Sequence, residues 1–243
     1  AYPAVKQAIR GINAMQLQGQ GTIGGELCQR PRCWYFRNGH GLLANRGKLV
    51  VEGDSRYHAI FGNDTAAKFV HASRIAPALV ALGATLRVAG PGPQDEMLVP
   101  IAEFFRTPRH EGQREHVLAP NQLLTHIILP PAAGVLNASY EVRHGAGPDY
   151  PLAAAAVALR TSGGVVTDAN VVLGHVAPPP WIAHEAAQAI IGWPVNEQTA
   201  RMAGEAAVAR ATPLKDNQYK VQLASVAVER ALLLAAGFET GGF

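Results

Sequence analysis

The sequence is poor in cysteine and in charged residues, and both shortages limit the classes of protein to which it can belong. Cys28 and Cys33 are its two cysteines, too few for a disulfide-rich scaffold, and they fit a reducing compartment. Charged residues make up 16% of the 243 residues and hydrophobic residues 48%, which is typical of a folded globular protein rather than a disordered one. The length allows one large domain or two modest ones.

Long hydrophobic runs and dense basic runs are absent as well. The longest apolar stretch, 152–159, is too short to span a membrane and is predicted to be a strand. The start, Ala1-Tyr2-Pro3, lacks both a signal-peptide pattern and an initiating methionine, so we expect either processing or a longer parent chain. The net charge is +3 with scattered basic residues, which predicts no nucleic-acid surface.

Hydrophobic spacing and turn residues divide the chain near Pro130-Pro131. Before this point the pattern is mixed, with a glycine-rich stretch over 19–25 and an irregular stretch over 27–63. The predicted helices are 4–12 and 75–82, the second closed by Gly83. The predicted strands are 85–89, 97–99 and 123–129.

After Pro131 the predicted strands precede the predicted helices. The strands are 138–143, 152–159 and 165–176, with a tight turn at Ser162-Gly163-Gly164. The helices are 183–191, 196–211 and 217–236, and Asn196 with Thr199 is predicted to begin the second. Strands and helices in separate blocks favour an α+β fold over a doubly wound sheet.

Paired glycines in Gly21-Thr22-Ile23-Gly24-Gly25 form the first candidate for chemistry. Without side chains they let the backbone approach a ligand closely, and successive N–H groups can face phosphate or ring oxygens. A Gly-Gly pair is more often a structural turn. No strand–GxGxxG–helix unit surrounds it, so a nicotinamide-binding fingerprint is absent.

The two cysteines form the second candidate, in the arginine-rich stretch 28–37. A closed metal site needs about four ligands. Besides the two cysteines, the nearby candidate ligands are His40 and His58. The alternative is two unliganded cysteines among arginines and aromatics that stack or contact a partner. No metal site is predicted. No catalytic residue is predicted either, because no serine lies in G-x-S-x-G and paired carboxylates are not evident.

Several stretches together resemble one family. They are TIGG, LCQRPRCWYFR, YHAIFG, a His-x-Ser segment leading into APALVALGA, SYEVRHG, DYPLAAAAVAL, GGVVTDANVVLGHVAPPPW and PLKDNQYKV. In this order, and over nearly the whole chain, they resemble the FAD-binding (medium) subunit of the xanthine dehydrogenase and aldehyde oxidoreductase family of molybdenum hydroxylases.

The resemblance implies a partial flavin domain of the vanillyl-alcohol-oxidase (PCMH-like) type over 1–130 and a small three-stranded α+β domain over 131–243. The latter is the CO-dehydrogenase-flavoprotein type of C-terminal domain. It places Thr22, Ile23, Gly24 and Gly25 beside FAD. In such complexes, electrons pass from molybdopterin in a large subunit, through [2Fe–2S] clusters in a small subunit, to the flavin and then to an acceptor.

The departures from the family pattern concern the expected flavin site and a metal cluster. Glu26 stands where Asn is usual after the paired glycines, and Arg74 where Asp usually follows His-x-Ser. Val142 precedes Arg143 where lysine is usual. Cys33 matches the first ligand of a [4Fe–4S] cluster that some relatives hold, but further cysteines are missing, so that cluster is not expected. From the resemblance, we expect this sequence to correspond to the part of the family's subunit that follows its N-terminal pyrophosphate-binding lobe.

Two hypotheses follow from this resemblance. In the first, the chain is the FAD-type subunit that transfers electrons to an acceptor. In the second, it is a degenerate, flavin-free structural subunit that scaffolds the molybdenum and iron–sulfur subunits, and electrons leave through another chain such as a cytochrome. The expected compartment is the cytoplasm or, on a partner's signal, the periplasm.

Overall fold

Two antiparallel sheets organise the computed structural model, which describes residues 1–92, 94–145 and 149–240. The helices are α1 (Pro3–Arg10), α2 (Met15–Gln20), α3 (Ile23–Leu27), α4 (Trp34–Arg37), α5 (Lys48–Glu52), α6 (Ala76–Ala81), α7 (Ile101–Phe104), α8 (His184–Ile190), α9 (Glu197–Val208) and α10 (Tyr219–Ala235). The strands are β1 (Thr85–Ala89), β2 (Glu96–Pro100), β3 (Leu123–Ile128), β4 (Val135–Val142), β5 (Ala153–Ser162), β6 (Val165–Gly174) and β7 (Trp181–Ile182). The α+β architecture is therefore confirmed.

The first sheet has the strand order β2-β1-β3, with both pairings antiparallel. Its central strand β1 alternates between buried and half-buried residues, and Leu86 and Val88 are fully buried. Leu86 packs in a core cluster with Leu79 of α6 and Phe104 of α7. This alternation is the period-two pattern expected of a strand with one covered face.

The second sheet has the order β4-β5-β6-β7 and lies against α8 and α10, and α9 packs on these two helices. Seven successive residues of β5, from Ala153 to Leu159, are buried. Helix α10 covers one face of the strand and α6 covers the other. The expected three-stranded sheet gains the two-residue strand β7. After Pro178-Pro179-Pro180 the chain turns back, and Trp181 pairs with Leu173 of β6.

Turn and cap residues place most element boundaries close to their predicted positions. Gly163 and Gly164 have φ values of +59° and +83° between β5 and β6, a backbone region that glycine enters at little cost. Gly83, with φ +68°, follows α6 as predicted. Asn196 and Thr199 form a reciprocal capping box at the start of α9, which confirms the predicted helix start.

The stretch between α3 and α6 is largely irregular, as predicted, and it is fixed to the C-terminal helices by buried polar contacts. The Asn217 amide, just before α10, donates to the carbonyls of His58 and Ala59 at 3.1 and 3.3 Å. The Asn63 amide donates to the Thr212 carbonyl at 2.8 Å. These contacts hold the loop beside the C-terminal helices, and His58, one of the acceptors, lines the cavity described below. The glycine-rich stretch 19–25 differs from expectation, because much of it is helical in α2 and α3.

Candidate functional site

Thr22, Ile23, Gly24 and Gly25 form the exposed first turn of α3. Thr22 is the N-cap residue, and its hydroxyl accepts a hydrogen bond from the Gly25 backbone N–H at 3.0 Å. This is the standard role of threonine at a helix start. Ile23 exposes 47% of its surface, a large apolar area to leave in water at the tip of a short helix.

The glycines of this turn are not required by its backbone. Neither Gly24 nor Gly25 has a positive φ. A Cβ atom built on Gly24 would lie 3.6 Å from the nearest atom, the Leu124 carbonyl oxygen, which is ordinary van der Waals contact. At Gly25 the nearest atom would be the Thr22 hydroxyl, at 3.1 Å. Alanine would therefore fit at Gly24, and the fold itself does not explain the glycine. A ligand that lies directly on the backbone would explain it.

A buried cluster of charged side chains lies behind this turn. Glu26 of α3 accepts a hydrogen bond from the Arg74 backbone N–H at 2.8 Å. The Arg74 guanidinium lies 3.9 Å from the Glu141 carboxylate, and Arg143 lies 3.8 Å from the same carboxylate. The side chains of Arg74, Glu141 and Arg143 are each 10% exposed or less. Strands, loop and helix thus bring together four residues that are far apart in the sequence.

Burial controls the protonation of the two carboxylates in this cluster. Desolvation raises the pKa of Glu141 to about 7, although Arg74 and Arg143 oppose the rise and Glu26 adds to it. The pKa of Glu26 is raised as well, again by burial, against lowering by hydrogen bonds and by the charge of Arg74. Glu26 and Arg74, two of the departures from the family pattern, are in contact. The contact runs from the backbone of Arg74, whereas its guanidinium lies nearest the Glu141 carboxylate.

Arg74 also connects the cluster to the following loop. Its guanidinium donates to the carbonyls of Gly11 and Asp149 and lies 5.3 Å from the centre of the Tyr150 ring. The Tyr150 hydroxyl donates to the Gln29 side chain at 3.0 Å. Asp149-Tyr150-Pro151 thus lies between the charge cluster and a neighbouring cavity.

The cysteines are free thiols, and one of them has a histidine partner. Cys33 Sγ lies 3.2 Å from His58 Nε2, whereas His40 lies beside Tyr35. Burial raises the pKa of both thiols above the ordinary value and lowers the pKa of His58 to about 4. Within the described ranges, no group of three or more His, Cys, Asp or Glu side chains could hold a metal ion.

A cavity of about 350 Å³ lies next to this thiol, and sequence reasoning missed it. His58, Tyr150, His175 and Lys220 are among the residues that line it. They come from four separate stretches, and the loop-to-helix contacts that bring them together leave no periodic signal in the sequence. Lys220 lies on a helix among alanines and leucines, where a single lysine is indistinguishable from a surface residue.

Two family models match this chain. Residues 1–132 match the FAD binding domain in molybdopterin dehydrogenase, and residues 138–235 match the CO dehydrogenase flavoprotein C-terminal domain. No helix in the described part of the chain is both long and apolar enough to cross a membrane.

Relatives and solved structures agree with these matches. The chain is 30% identical to the aldehyde oxidoreductase FAD-binding subunit PaoB of Escherichia coli over 92% of its own length and 68% of that protein. It is 29% identical to the carbon monoxide dehydrogenase medium chain of Afipia carboxidovorans, over 79% of its own length and 65% of the relative's.

The fold is also similar to solved CO dehydrogenases. Reconstituted CO dehydrogenase from Oligotropha carboxidovorans matches with a TM-score of 0.56 and 26% identity, over 68% of this chain and 57% of that one. A cyanide-inactivated Cu,Mo-CO dehydrogenase matches with a TM-score of 0.63 over 95% and 66% of the two chains. The chain thus spans only part of the length of these relatives.

Proposed function

The chain belongs to the family of FAD-binding medium subunits of molybdenum hydroxylases, and from this we propose that it is the flavin-type electron-transfer subunit of such a complex. Its proposed cofactor is FAD, which lies against Thr22, Ile23, Gly24 and Gly25. FAD, when bound, accepts electrons from the redox centres of a complex and passes them to an external acceptor. The family membership and the geometry of the first turn of α3 support this proposal.

One observation carries the proposal: Gly24 is a glycine that its own fold does not need. Its φ is not positive, and a Cβ atom there would meet only ordinary contacts. A bare backbone at an exposed turn lets a flat ligand approach within hydrogen-bond distance of the peptide groups. Ile23, 47% exposed, offers an apolar surface to the same ligand. The bare backbone of Gly24 and the exposed apolar side chain of Ile23 both suit contact with a flavin ring.

The charge cluster behind the turn supports this role by holding α3 in place. Glu26 joins α3 to the Arg74 backbone, and Arg74 in turn is paired with Glu141. Because the Arg74 side chain is 4% exposed and paired, it does not present a free positive charge to the ligand surface. The side chain that differs in charge from the family pattern therefore lies in the protein interior and not on the ligand surface.

The proposed partners follow from the family. They are a molybdopterin-binding large subunit and a small iron–sulfur subunit with [2Fe–2S] clusters, with a cytochrome as a further proposed partner. The substrate would be chosen in the large subunit, as an aldehyde or a related compound. We further propose a domain boundary at Pro130-Pro131, and a cytoplasmic or periplasmic complex.

Flavin released by acid from the intact purified complex tests the proposal. We expect about one flavin for each copy of this chain, measured by fluorescence, together with iron from the partner subunits. Gly24→Val should lower flavin content strongly, because the added side chain stands where the ligand must lie. Gly19→Val is the matched control, since nothing lies within 4 Å of a Cβ atom at that position.

One result would contradict the proposed flavin role. A complex that contains iron but no flavin, from wild-type protein and Gly19→Val alike, would contradict the proposal. It would favour a flavin-free subunit that scaffolds its partners.

A further inference from the structure

Two arginine-rich stretches that are far apart in the sequence meet in the structure. Residues 28–37 and 106–115 contain six of the 21 lysines and arginines of the chain but only two of its 18 aspartates and glutamates. The Arg30 guanidinium of the first stretch lies 2.8 Å from the Glu115 carboxylate of the second. Outside these stretches acidic residues slightly outnumber basic ones, so the positive net charge of the chain originates in them.

The two glutamates of these stretches already have partners. The Glu115 side chain is 5% exposed and is paired with Arg30. The Glu111 carboxylate accepts hydrogen bonds from the backbone N–H groups of Leu42 and Leu43 at 2.5 and 3.0 Å. These contacts also fix the second stretch against the loop that follows the first. The geometry of both stretches is therefore set by the acidic side chains, and the arginines remain on the outside.

Four arginines of the two stretches form what we call the arginine surface: Arg30, Arg37, Arg106 and Arg114. The guanidinium groups of Arg30 and Arg37 lie over the Phe36 ring, 4.9 and 5.8 Å from its centre. The other two lie close to Arg30, because three of these charges act on one buried imidazole. The pKa of His116 is lowered by burial and further by the charges of Arg114, Arg106 and Arg30, while Glu115 opposes them.

Most of the positive charge on the arginine surface is accessible to a partner. Arg37, Arg106 and Arg114 are exposed, and among the residues that the structure describes none of the three has an ion-pair partner. A cluster of like charges on a protein surface attracts a partner of opposite charge and speeds its association. The arginine surface therefore suits an anionic partner.

The arginine surface lies near the end of α3 that is opposite the flavin motif. Thr22–Gly25 form the beginning of α3, and Cys28 is its C-cap residue. Burial raises the pKa of the Cys28 thiol and the charge of Arg114 opposes the rise, which places Arg114 near the C-terminal end of this helix. A helix of this length spans only about 8 Å. A partner on the arginine surface would thus be close to the proposed flavin.

The form of the surface favours a protein over a small anion. Its arginines lie on loops, and none of the four lines the cavity beside Cys33, so they present an open face and not a pocket at that cavity. Arginines next to an aromatic ring, as Arg30 and Arg37 are next to Phe36, are typical of protein–protein contacts.

We propose that the arginine surface is the docking site of an acidic protein that accepts electrons from this subunit. The positive charges select an acidic partner, and the short distance to the first turn of α3 assigns that partner the role of electron acceptor. The acceptor role rests on the proposed flavin function, whereas the docking of an acidic protein does not.

Cytochrome c in two charge states tests the proposal on the intact purified complex. The native protein is basic, and succinylation of its lysines makes the same protein acidic. By biolayer interferometry at low salt, we expect the succinylated form to bind at least about tenfold more tightly than the native form. This binding should weaken as salt is added, because exposed charges are screened. No binding of the succinylated form, or equal binding of the two forms, would overturn the proposal.

Two double variants locate the binding. Arg106→Gln with Arg114→Gln should weaken the binding of succinylated cytochrome c roughly five- to tenfold, since two exposed ion pairs are lost. Arg160→Gln with Arg201→Gln removes the same charge from exposed positions of β5 and α9 and should bind within about twofold of wild type. Thermal melts check that both variants are folded. Equal weakening in both would show that net charge alone is responsible and would refute the arginine surface.

Competing polyanions and the flavin content complete the test. A short single-stranded DNA or anionic lipid vesicles that bind more tightly than succinylated cytochrome c, and lose this binding in the Arg106→Gln, Arg114→Gln variant, would refute a protein partner. A flavin-free complex that binds the succinylated form would contradict the proposed function and support the docking surface. A complex with flavin that does not bind it would refute the surface and leave the flavin role supported.

Discussion

At the scale of single residues, burial determines the electrostatics of this protein more than charge pairing does. Desolvation is the largest influence on the pKa of Glu141, which is raised to about 7, and of Lys220, which is lowered to about 7. The same effect keeps His58 and His71 neutral, with pKa values of about 4 and 3. Neutral imidazoles can act as hydrogen-bond donors and acceptors, and His58 Nε2 lies 3.2 Å from the Cys33 thiol.

Glu141→Gln should remove a pH dependence of stability. Between the ordinary glutamate pKa of 4.5 and the folded value of about 7, the folded protein holds a proton that the unfolded chain has lost. The stabilisation is present below pH 4.5 and disappears as the pH rises through 7, a difference of about 3 kcal/mol. Relative to wild type, Glu141→Gln should therefore gain stability from pH 5 to pH 8, as measured by urea unfolding.

The control for this prediction is Glu205→Gln on the exposed surface of α9, which removes the same charge without the burial. Its stability should differ from wild type by the same amount at both pH values. If Glu141→Gln also shows a constant difference, Glu141 is ionised throughout, and its assigned pKa is wrong.

At the scale of elements, close packing of α9 on α10 depends on one glycine. A Cβ atom on Gly204 would lie 2.6 Å from the Ser225 carbonyl oxygen and 2.9 Å from its hydroxyl. Glycine normally weakens a helix, so its presence inside α9 is explained by this approach rather than by helix propensity. Alanines such as Ala203 and Ala227 complete the contact, and both are fully buried.

Gly204→Ala should destabilise the protein although alanine favours the helix. The gain in propensity is about 1 kcal/mol, and overpacking costs roughly 1–3 kcal/mol; since the contact is with backbone, we expect a net loss. Thermal unfolding monitored by circular dichroism is the measurement. Gly19→Ala in α2, where a Cβ atom meets nothing within 4 Å, should be neutral or stabilising. A Gly204→Ala protein more stable than wild type would show that the helices can separate at no cost.

At the scale of the whole molecule, the two family segments are packed into one body rather than joined by a linker. Helix α1 from the first segment lies on β4 of the second: the Ala4 backbone N–H donates to the Asn137 side chain at 3.0 Å, and the Ser139 hydroxyl donates to the Ala4 carbonyl at 2.9 Å. The loop before α6 is held in the same way by Asn217. The cavity exists only because both segments supply its wall.

Asn217→Ala should weaken this attachment. The side chain is fully buried, its amide donates to two carbonyls, and its oxygen accepts from the Leu214 backbone N–H at 2.6 Å. Each buried group left without a partner costs roughly 1–3 kcal/mol, so we expect a loss of about 2 to 4 kcal/mol in urea unfolding. Tryptophan fluorescence, to which Trp34 of the loop contributes together with Trp181 and Trp193, and circular dichroism should change together.

Gln188→Ala on the exposed surface of α8 is the control and should alter stability little. If Asn217→Ala changes tryptophan fluorescence at low urea while circular dichroism stays native, the loop unfolds separately from the helices. That result would contradict a single cooperative body.

The sequence by itself determined the elements and the family. Hydrophobic periodicity, glycine turns and the Asn196 cap are local signals, and they give all described strands except β7 and the helices α1, α6, α8, α9 and α10 to within a few residues. The short helices α2, α3, α4, α5 and α7 were not predicted. The motif order gives the family, because many short matches agree. The placement of Thr22–Gly25 beside a flavin stays a prediction, since it concerns a contact with a ligand.

Only the tertiary structure decided which distant residues meet. It paired Glu26 with Arg74, two changes 48 positions apart, and it gathered His58, Tyr150, His175 and Lys220 around one cavity. It also added β7 to the second sheet, because the chain turns back after three prolines. Such contacts depend on how elements pack, and the free energy of packing is distributed over many residues without any local pattern.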